Sequence, residues 1–173
     1  MQMLVDQPEL ETIDGVSRRK MSPKRPHSRV QGAIHRALFD AAEQFGELNL
    51  EWRCRPGGVD GSDTVLVPDL CFVEQWRLDA LPATELDVPP IAPDLVIEIR
   101  SPKEHARWRT EKAQKFLALG TLLVLDVDPE TRTIRTITAD GVDELRCGDT
   151  VTFPAFPWLS LPVEKAFEGL DRA

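Results

Sequence analysis

Two acidic residues stand inside apolar segments of this chain, where a carboxylate needs a partner. Asp69 lies in the run V-L-V-P-D-L-C-F-V, and Glu98 lies in the run P-D-L-V-I-E-I-R. A carboxylate that loses its hydration stays charged only where a cation, a metal ion or several hydrogen-bond donors replace the water. Two nearly buried acids on two strands therefore predict one shared cation. Hard oxygen ligands favour Mg²⁺ or Mn²⁺ over zinc, and such an ion can lower the pKa of a bound water.

A second Pro-Asp, at Asp94, offers another partner for Glu98. Four residues at the rise of a β-strand separate the two by about 13 Å, which is too far for one metal ion. Alternation along the strand places Asp94, Glu98 and Arg100 on one face. We therefore predict that Asp69 is the partner of Glu98, and that Asp94 is a strand-start or turn residue.

The segments around both acids are predicted to form one sheet. E-L-N-L-E-W-R-C-R alternates apolar and polar residues, which predicts a half-exposed strand paired antiparallel with the Asp69 strand. T-L-L-V-L-D-V is suited to the centre of a sheet, and the helix before it predicts parallel pairing with the Glu98 strand. T-I-R-T-I-T-A and V-D-E-L-R-C are predicted to follow as further strands.

Two long helices are predicted to flank this sheet. The first runs from His27 or Ser28 to Phe45 and carries a single apolar stripe at three-four spacing. The second runs from about Lys103 to Leu119 and is rich in Lys and Arg. A proline-broken cover, F-P-A-F-P-W-L-S-L-P, and a short helix over residues 163–170 complete the chain. The expected fold class is α/β, with a mixed β-sheet core flanked by helices and extra C-terminal strands.

The length of 173 residues suits one domain with a proper core. Residues 1–24 show little periodicity and predict an N-terminal arm, so residues 25–173 are predicted as the single domain. No apolar run has the length of a membrane span and no signal-peptide core is recognisable, so we expect a cytoplasmic protein without a membrane partner. The three cysteines are odd in number and far apart, and indicate neither a disulfide framework nor a zinc site.

The charge is unevenly distributed along the chain. The net charge is -8, yet residues 18–36 hold seven Lys or Arg and no acid. Residues 100–115 hold six Lys or Arg against two acids. Such polarity can focus an anionic ligand, including a nucleic acid, onto one face. The alternative for the first cluster is a solvated tail and helix face.

The order of these segments resembles the PD-(D/E)XK nuclease motif. Pro68-Asp69 is followed, after twenty-eight residues, by Glu98-Ile99-Arg100, with arginine in place of the final lysine. The chain also resembles a large bacterial Uma-type family of restriction-endonuclease-like proteins in three sequence motifs, P-D-L-V-I-E-I-R-S-P, E-K-x-x-K-F-x-x-x-G and L-D-V-D-P. The similarity covers residues 27–167, and it implies a restriction-endonuclease-like fold.

The resemblance also implies a set of metal ligands. Asp69, Glu98 and the carbonyl of Ile99 would bind Mg²⁺ or Mn²⁺. In the resembled nucleases the first helix often supplies an acidic or amide side chain, and Gln31 occupies the matching position. An amide can orient water or a metal ligand but cannot act as a base. The alternative is that Gln31 only bonds a neighbouring backbone.

Arg100 departs from the family pattern, so another side chain would have to take the place of the motif lysine. Arginine remains protonated, so it cannot act as a base, although its planar fork can hold a phosphate. Lys112, in E-K-A-Q-K-F, matches a lysine that recurs in the resembled family. A helix packed on the Glu98 strand would aim Lys112 at Glu98. The alternative places Lys112 on a solvated helix face.

Three hypotheses for function follow. The first is a Mg²⁺-dependent endonuclease that hydrolyses DNA as a homodimer, since cutting two strands favours paired sites. The second is a nucleic-acid-binding or regulatory module that kept the fold and lost catalysis. The third is a small-molecule or protein-interaction domain on the same scaffold. Metal binding separates the first from the others, and salt-sensitive DNA binding separates the second from the third.

Overall fold

The central element of the fold is a six-stranded mixed sheet. The structure, a computed structural model, describes residues 10–20, 23–57, 63–102 and 104–171. In spatial order the strands of this sheet are β3 (Gly46–Leu50), β4 (Leu70–Glu74), β5 (Leu95–Ile99), β6 (Leu123–Asp128), β7 (Thr133–Ile137) and β8 (Val142–Leu145). The β5–β6 pair is parallel and every other neighbouring pair is antiparallel. The predicted pairings of the Asp69 and Glu98 strands are therefore confirmed.

One face of the sheet is covered by a long helix and the C-terminal segments. The helix α1 (Arg25–Ala42) begins with Pro26 in its first turn and turns its apolar stripe inward. It lies beside a hairpin and a short terminal helix. These are β9 (Thr150–Phe153), β10 (Phe156–Pro162) and α4 (Val163–Phe167). Together they bury the alternate residues of β5 that point to this face, Leu95, Ile97 and Ile99.

The opposite face is covered by α3 (Ala106–Ala118), which connects β5 to its parallel neighbour β6. Val96 of β5 packs there with Phe116 of α3 and Val124 of β6. Glu98 has the parity of Val96 and therefore belongs to the α3 face. The helix begins three residues later than predicted, and Lys103 lies outside the described residues. Across the described residues, no helix combines the length and apolarity needed to cross a bilayer.

The connection between β4 and β5 contains the short helix α2 (Gln75–Asp79) and one 3-10 turn at Ala83–Glu85. Asp94 ends the connection, where its carboxylate accepts hydrogen bonds from the Glu74 backbone N–H and from Arg77. Asp94 is thus a strand-start residue, as predicted, and it does not meet Glu98.

Residues 10–19, which belong to the predicted N-terminal arm, form regular secondary structure. Two strands, β1 (Leu10–Ile13) and β2 (Val16–Arg19), form an antiparallel hairpin. Thr12 pairs with Val65 through backbone hydrogen bonds of 2.7 and 2.8 Å, which dock the hairpin onto the segment before Asp69. Glu11 is 4% exposed. The hairpin is therefore a packed part of the structure; residues 1–9 lie outside the described residues.

Candidate functional site

The two acids and the lysine singled out by the sequence meet at one cavity of about 330 Å³. It lies between the N-terminal hairpin, the start of α1, the end of β5 and the start of α3. Its charged walls on the described residues include Glu11, Lys20, Asp69, Glu98, Glu104 and Lys112. Four carboxylates and several cationic side chains are thus concentrated at one end of the sheet.

Asp69 immediately precedes β4 and is 3% exposed. Its Oδ2 lies 3.0 Å from Nε2 of His27 and accepts a 2.7 Å hydrogen bond from the backbone N–H of Ile99. Its Oδ1 lies 3.1 Å from Nζ of Lys20. Burial alone would raise the pKa of Asp69, but the hydrogen bond from His27 and the charge of Lys20 outweigh it, and the pKa lies below its usual range. Asp69 is therefore a charged carboxylate.

Glu98 sits near the end of β5 on the face that α3 covers. Its Oε1 lies 2.7 Å from Nζ of Lys112, but this buried oxygen has no partner with hydrogen-bond geometry among the described residues. Burial raises the pKa of Glu98 to about 8, because the charge of Lys112 only partly offsets the lost hydration, and the nearby charge of Asp69 adds to the rise. Glu98 is the acid in this site that a further cation would stabilise most.

Lys112 projects from α3 into the same cluster and is 2% exposed. Its Nζ lies 2.7 Å from an oxygen of Glu98 and 2.7 Å from an oxygen of Glu11. Burial alone would lower the pKa of Lys112, but Glu98 and Glu11 outweigh it and the pKa is raised. Lys112 therefore stays protonated and cannot serve as a base. The structure brings Lys112 to Glu98 as expected, and the alternative of a solvated helix face is wrong.

Glu11 is the site residue that sequence reasoning missed. Its Oε1 accepts a 2.9 Å hydrogen bond from the backbone N–H of Val67 in addition to its contact with Lys112. In the strand L-E-T-I the acid points inward while Leu10 is 47% exposed, so the usual hydrophobic alternation is reversed. The signal in the sequence was a single acid within a short apolar segment, followed by a basic segment. That pattern is too weak to identify a buried residue.

Gln31 and Arg100 do not line the cavity. The Gln31 side chain donates a 2.9 Å hydrogen bond to the backbone carbonyl of Asp69, and its Nε2 is 3.5 Å from Oε1 of Glu51. This matches the alternative in which the amide holds a backbone. Arg100 instead turns away, with its Nη1 2.5 Å from Oδ2 of Asp128. The structure therefore does not bring Arg100, which the sequence predicted for the site, to the cavity, and pairs its guanidinium with Asp128 instead.

The outer wall of the cavity is cationic and partly aromatic. Arg18 and Arg19 of β2 line it together with His105 and Trp108 from the start of α3. The Arg18 guanidinium lies 4.6 Å from the centre of the Trp108 ring, a cation–π contact that fixes the arginine over the helix. Part of the basic cluster predicted for residues 18–36 therefore faces the same cavity as the acids.

Two observations bear on whether this site fits a divalent ion. Asp69 and Glu98 line one cavity, and a buried oxygen of Glu98 lacks a hydrogen bond. However, no group of three or more His, Cys, Asp or Glu side chains is arranged to hold a metal ion in the described part of the chain. Mg²⁺ keeps several waters and is usually bound through one or two carboxylates. A two-carboxylate site therefore fits Mg²⁺, provided that the protein cation on Asp69 gives way.

Comparisons with known proteins show the family of this chain. A family model described as "Uma2: Putative restriction endonuclease" matches residues 2–164. The chain belongs to this family. The crystal structure of a protein from Anabaena variabilis, described as a putative nuclease belonging to DUF820, superposes with a TM-score of 0.82. The two chains are 25% identical over 94% of this chain and 92% of the other. No curated protein matches.

These matches confirm the family resemblance and the restriction-endonuclease-like fold predicted from the sequence.

Proposed function

We propose that this protein is a metal-dependent endonuclease that hydrolyses DNA phosphodiester bonds at the cavity. The observation that carries the proposal is the convergence of Asp69, Glu98 and Lys112, from three separate elements, on one cavity with a cationic wall. Mg²⁺ or Mn²⁺, when bound, supplies a water of lowered pKa and withdraws charge from the phosphoryl oxygens. Asp69 and Glu98 would hold the ion, with the carbonyl of Ile99 as a third ligand.

The cations of the chain have separate roles in this proposal. Lys112 stays protonated in its buried position, so it stabilises the negative charge that develops on the phosphoryl group and does not abstract a proton. Arg18 and Arg19 on the cavity wall bind the flanking phosphates. Gln31 donates a hydrogen bond to the backbone carbonyl of Asp69 and so fixes the position of the Asp69 carboxylate.

Cleavage of both strands of a duplex favours two such sites, and we propose a homodimer for that reason. Light scattering of the protein with and without a DNA duplex tests this part of the proposal. A monomer in both conditions would leave single-strand nicking as the activity.

The experiment that tests the activity is a nicking assay on supercoiled plasmid with Mg²⁺ or Mn²⁺. We expect nicking by the wild type and its loss in Asp69→Asn, Glu98→Gln and Lys112→Met. Asp94→Asn is the matched control, because Asp94 is the chain's other buried Pro-Asp carboxylate and lies outside the cavity. Circular dichroism establishes that each variant is folded. Nicking that persists in Asp69→Asn and Glu98→Gln would refute the proposed site.

Two observations favour a second candidate, a nucleic-acid-binding module without catalysis. Both oxygens of Asp69 already contact donors from the protein, and the arginine at the motif position turns away from the cavity. This candidate predicts salt-dependent DNA binding by the wild type without nicking in either metal. Its binding would survive Asp69→Asn and weaken in Arg19→Ala.

A further inference from the structure

Lys20 supplies one of the contacts that surround the buried carboxylate of Asp69. It follows β2 directly, its side chain is 12% exposed, and its Nζ lies 3.1 Å from Oδ1 of Asp69. The same Nζ donates a 2.7 Å hydrogen bond to the backbone carbonyl of Val67. The other oxygen of Asp69 is taken by His27 and by the N–H of Ile99. Oδ1 is therefore the oxygen of Asp69 that an incoming ion can reach only by competing with Lys20.

We propose that Lys20 is an exchangeable cation: its ammonium group occupies the metal position on Asp69 in the metal-free protein and is displaced when a divalent ion binds. This inference rests on the proposed function, since it concerns the same site. It assigns to the N-terminal hairpin a direct part in metal loading.

The two lysines of the site differ in whether they can move. Lys112 is anchored between two acids and is 2% exposed. Lys20 is more exposed, lies at the end of a short strand and has a flexible four-carbon stem. Asp69 Oδ1 cannot hold a divalent ion and an ammonium group together at contact distance without strong repulsion between the two cations. Lys20 is therefore the cation that leaves.

The displaced ammonium group has another acceptor available. Lys20 lines the cavity beside Arg18 and Arg19, where a phosphate oxygen of the substrate replaces the carboxylate of Asp69. In this exchange Lys20 gives up its contact with Asp69, which occupies the metal-free site, and gains a contact with the substrate. It also keeps Asp69 charged and in place before the metal arrives.

The test is a calorimetric Mn²⁺ titration of full-length wild type, Lys20→Met, Lys20→Arg and Lys115→Met at one pH and low ionic strength. Lys115 is the matched control, because its Nζ lies 2.6 Å from Oδ1 of Asp14 and so joins the hairpin to α3 outside the cavity. We expect Lys20→Met to bind Mn²⁺ about tenfold more tightly or better, since a unit charge of repulsion is removed. Lys20→Arg and Lys115→Met should bind as the wild type does.

Equal or weaker Mn²⁺ binding by folded Lys20→Met overturns the inference. If the wild type binds Mn²⁺ and Lys20→Met binds it equally, only the inference fails and the proposed nuclease site stands. If neither binds Mn²⁺ at millimolar concentration, both fail together.

A measurement on the wild type avoids any folding defect of the variants. Acetylation of lysines, followed by mass spectrometry, reports how accessible the amine of Lys20 is with and without Mn²⁺. We expect Lys20 to react faster when Mn²⁺ is present, while buried Lys112 stays slow in both conditions. Unchanged or slower acetylation of Lys20 would contradict displacement.

Discussion

Replacement of Glu11 by glutamine tests whether the N-terminal hairpin is an integral part of the site. Glu11 is buried, and one of its oxygens accepts hydrogen bonds from Lys112 and from the backbone of Val67. Glutamine keeps a carbonyl acceptor of nearly the same shape and removes only the negative charge. The change therefore isolates the ion pair between the hairpin and α3.

The expected magnitude comes from the type of contact that is lost. A hydrogen bond to a charged group contributes about 1.5–3 kcal/mol, and a neutral one about 0.5–1.5 kcal/mol. Glu11→Gln should therefore lower the free energy of unfolding by about 1–2 kcal/mol. Glu11→Ala also leaves the N–H of Val67 and one side of buried Lys112 without a partner, and should cost about 3–5 kcal/mol.

Urea unfolding, followed by circular dichroism and tryptophan fluorescence, measures both changes. Asp14→Asn is the control, because Asp14 joins the same hairpin to α3 through a 2.6 Å ion pair but has a side chain that is 67% exposed. We expect it to cost about 1 kcal/mol or less. A double-mutant cycle of Glu11→Gln with Lys112→Met should return a coupling energy of about 1–3 kcal/mol. Equal, small effects of Glu11→Gln and Asp14→Asn would refute a hairpin docked through Glu11.

Three further outcomes are expected. Burial raises the pKa of Glu98 from 4.5 to about 8, so its favourable contribution to stability is complete below about pH 4.5 and lost as the pH rises through about 8. Glu98→Gln should therefore gain stability relative to the wild type between pH 5 and pH 8 in urea titrations, and a constant difference would contradict the shift. Gly46→Ala should lower the free energy of unfolding by more than about 1 kcal/mol, because an added Cβ would lie 2.0 Å from the backbone oxygen of Val73. A thermal midpoint equal to that of the wild type would contradict the close approach of β3 and β4 at this position. Arg100→Ala should leave Mn²⁺ affinity unchanged and lower the free energy of unfolding by about 1 kcal/mol or less, since it removes only the partly exposed ion pair with Asp128. A large loss of Mn²⁺ affinity would show that Arg100 takes part in the site.

The sequence predicts the central part of the site well, because that part rests on strong local patterns. Asp69 and Glu98 are anomalies within apolar strands, and an anomaly of that kind marks a buried acid with a partner. The helix between two buried strands predicts the parallel pairing of β5 and β6. Lys112 follows from these two facts, since that helix must pack on the strand that carries Glu98.

Arg100 shows that a shared strand face does not bring two side chains to one cavity. In the parallel β5–β6 register Glu98 pairs with Asp126, so Arg100 and Asp128, each two residues further on, lie on the same face. The backbone N–H of Arg100 still bonds the carbonyl of Val127, but the guanidinium reaches along the sheet to Asp128. The attraction of an acid on the neighbouring strand decides its direction. That acid is 28 residues away in sequence.

The hairpin escapes sequence analysis for a different reason. Each of its strands has only four residues, and all four residues of β2 are exposed. The hairpin is docked by a backbone pairing and by polar contacts of Glu11 and Lys20. The sequence of the two strands therefore shows no apolar alternation that could predict them. A segment stabilised by long-range ion pairs leaves no periodic pattern in its own sequence.

The position of the hairpin bears on how an acidic protein could bind the anionic substrate of the proposed function. The two basic segments of the sequence meet at one cavity, where Lys20 faces Asp69 and Lys112 faces Glu98. In this state the lysines are occupied with the protein's own acids and attract a phosphate only weakly. Under the proposed function, a divalent ion on the acids releases that positive charge, so metal loading precedes strong binding of DNA.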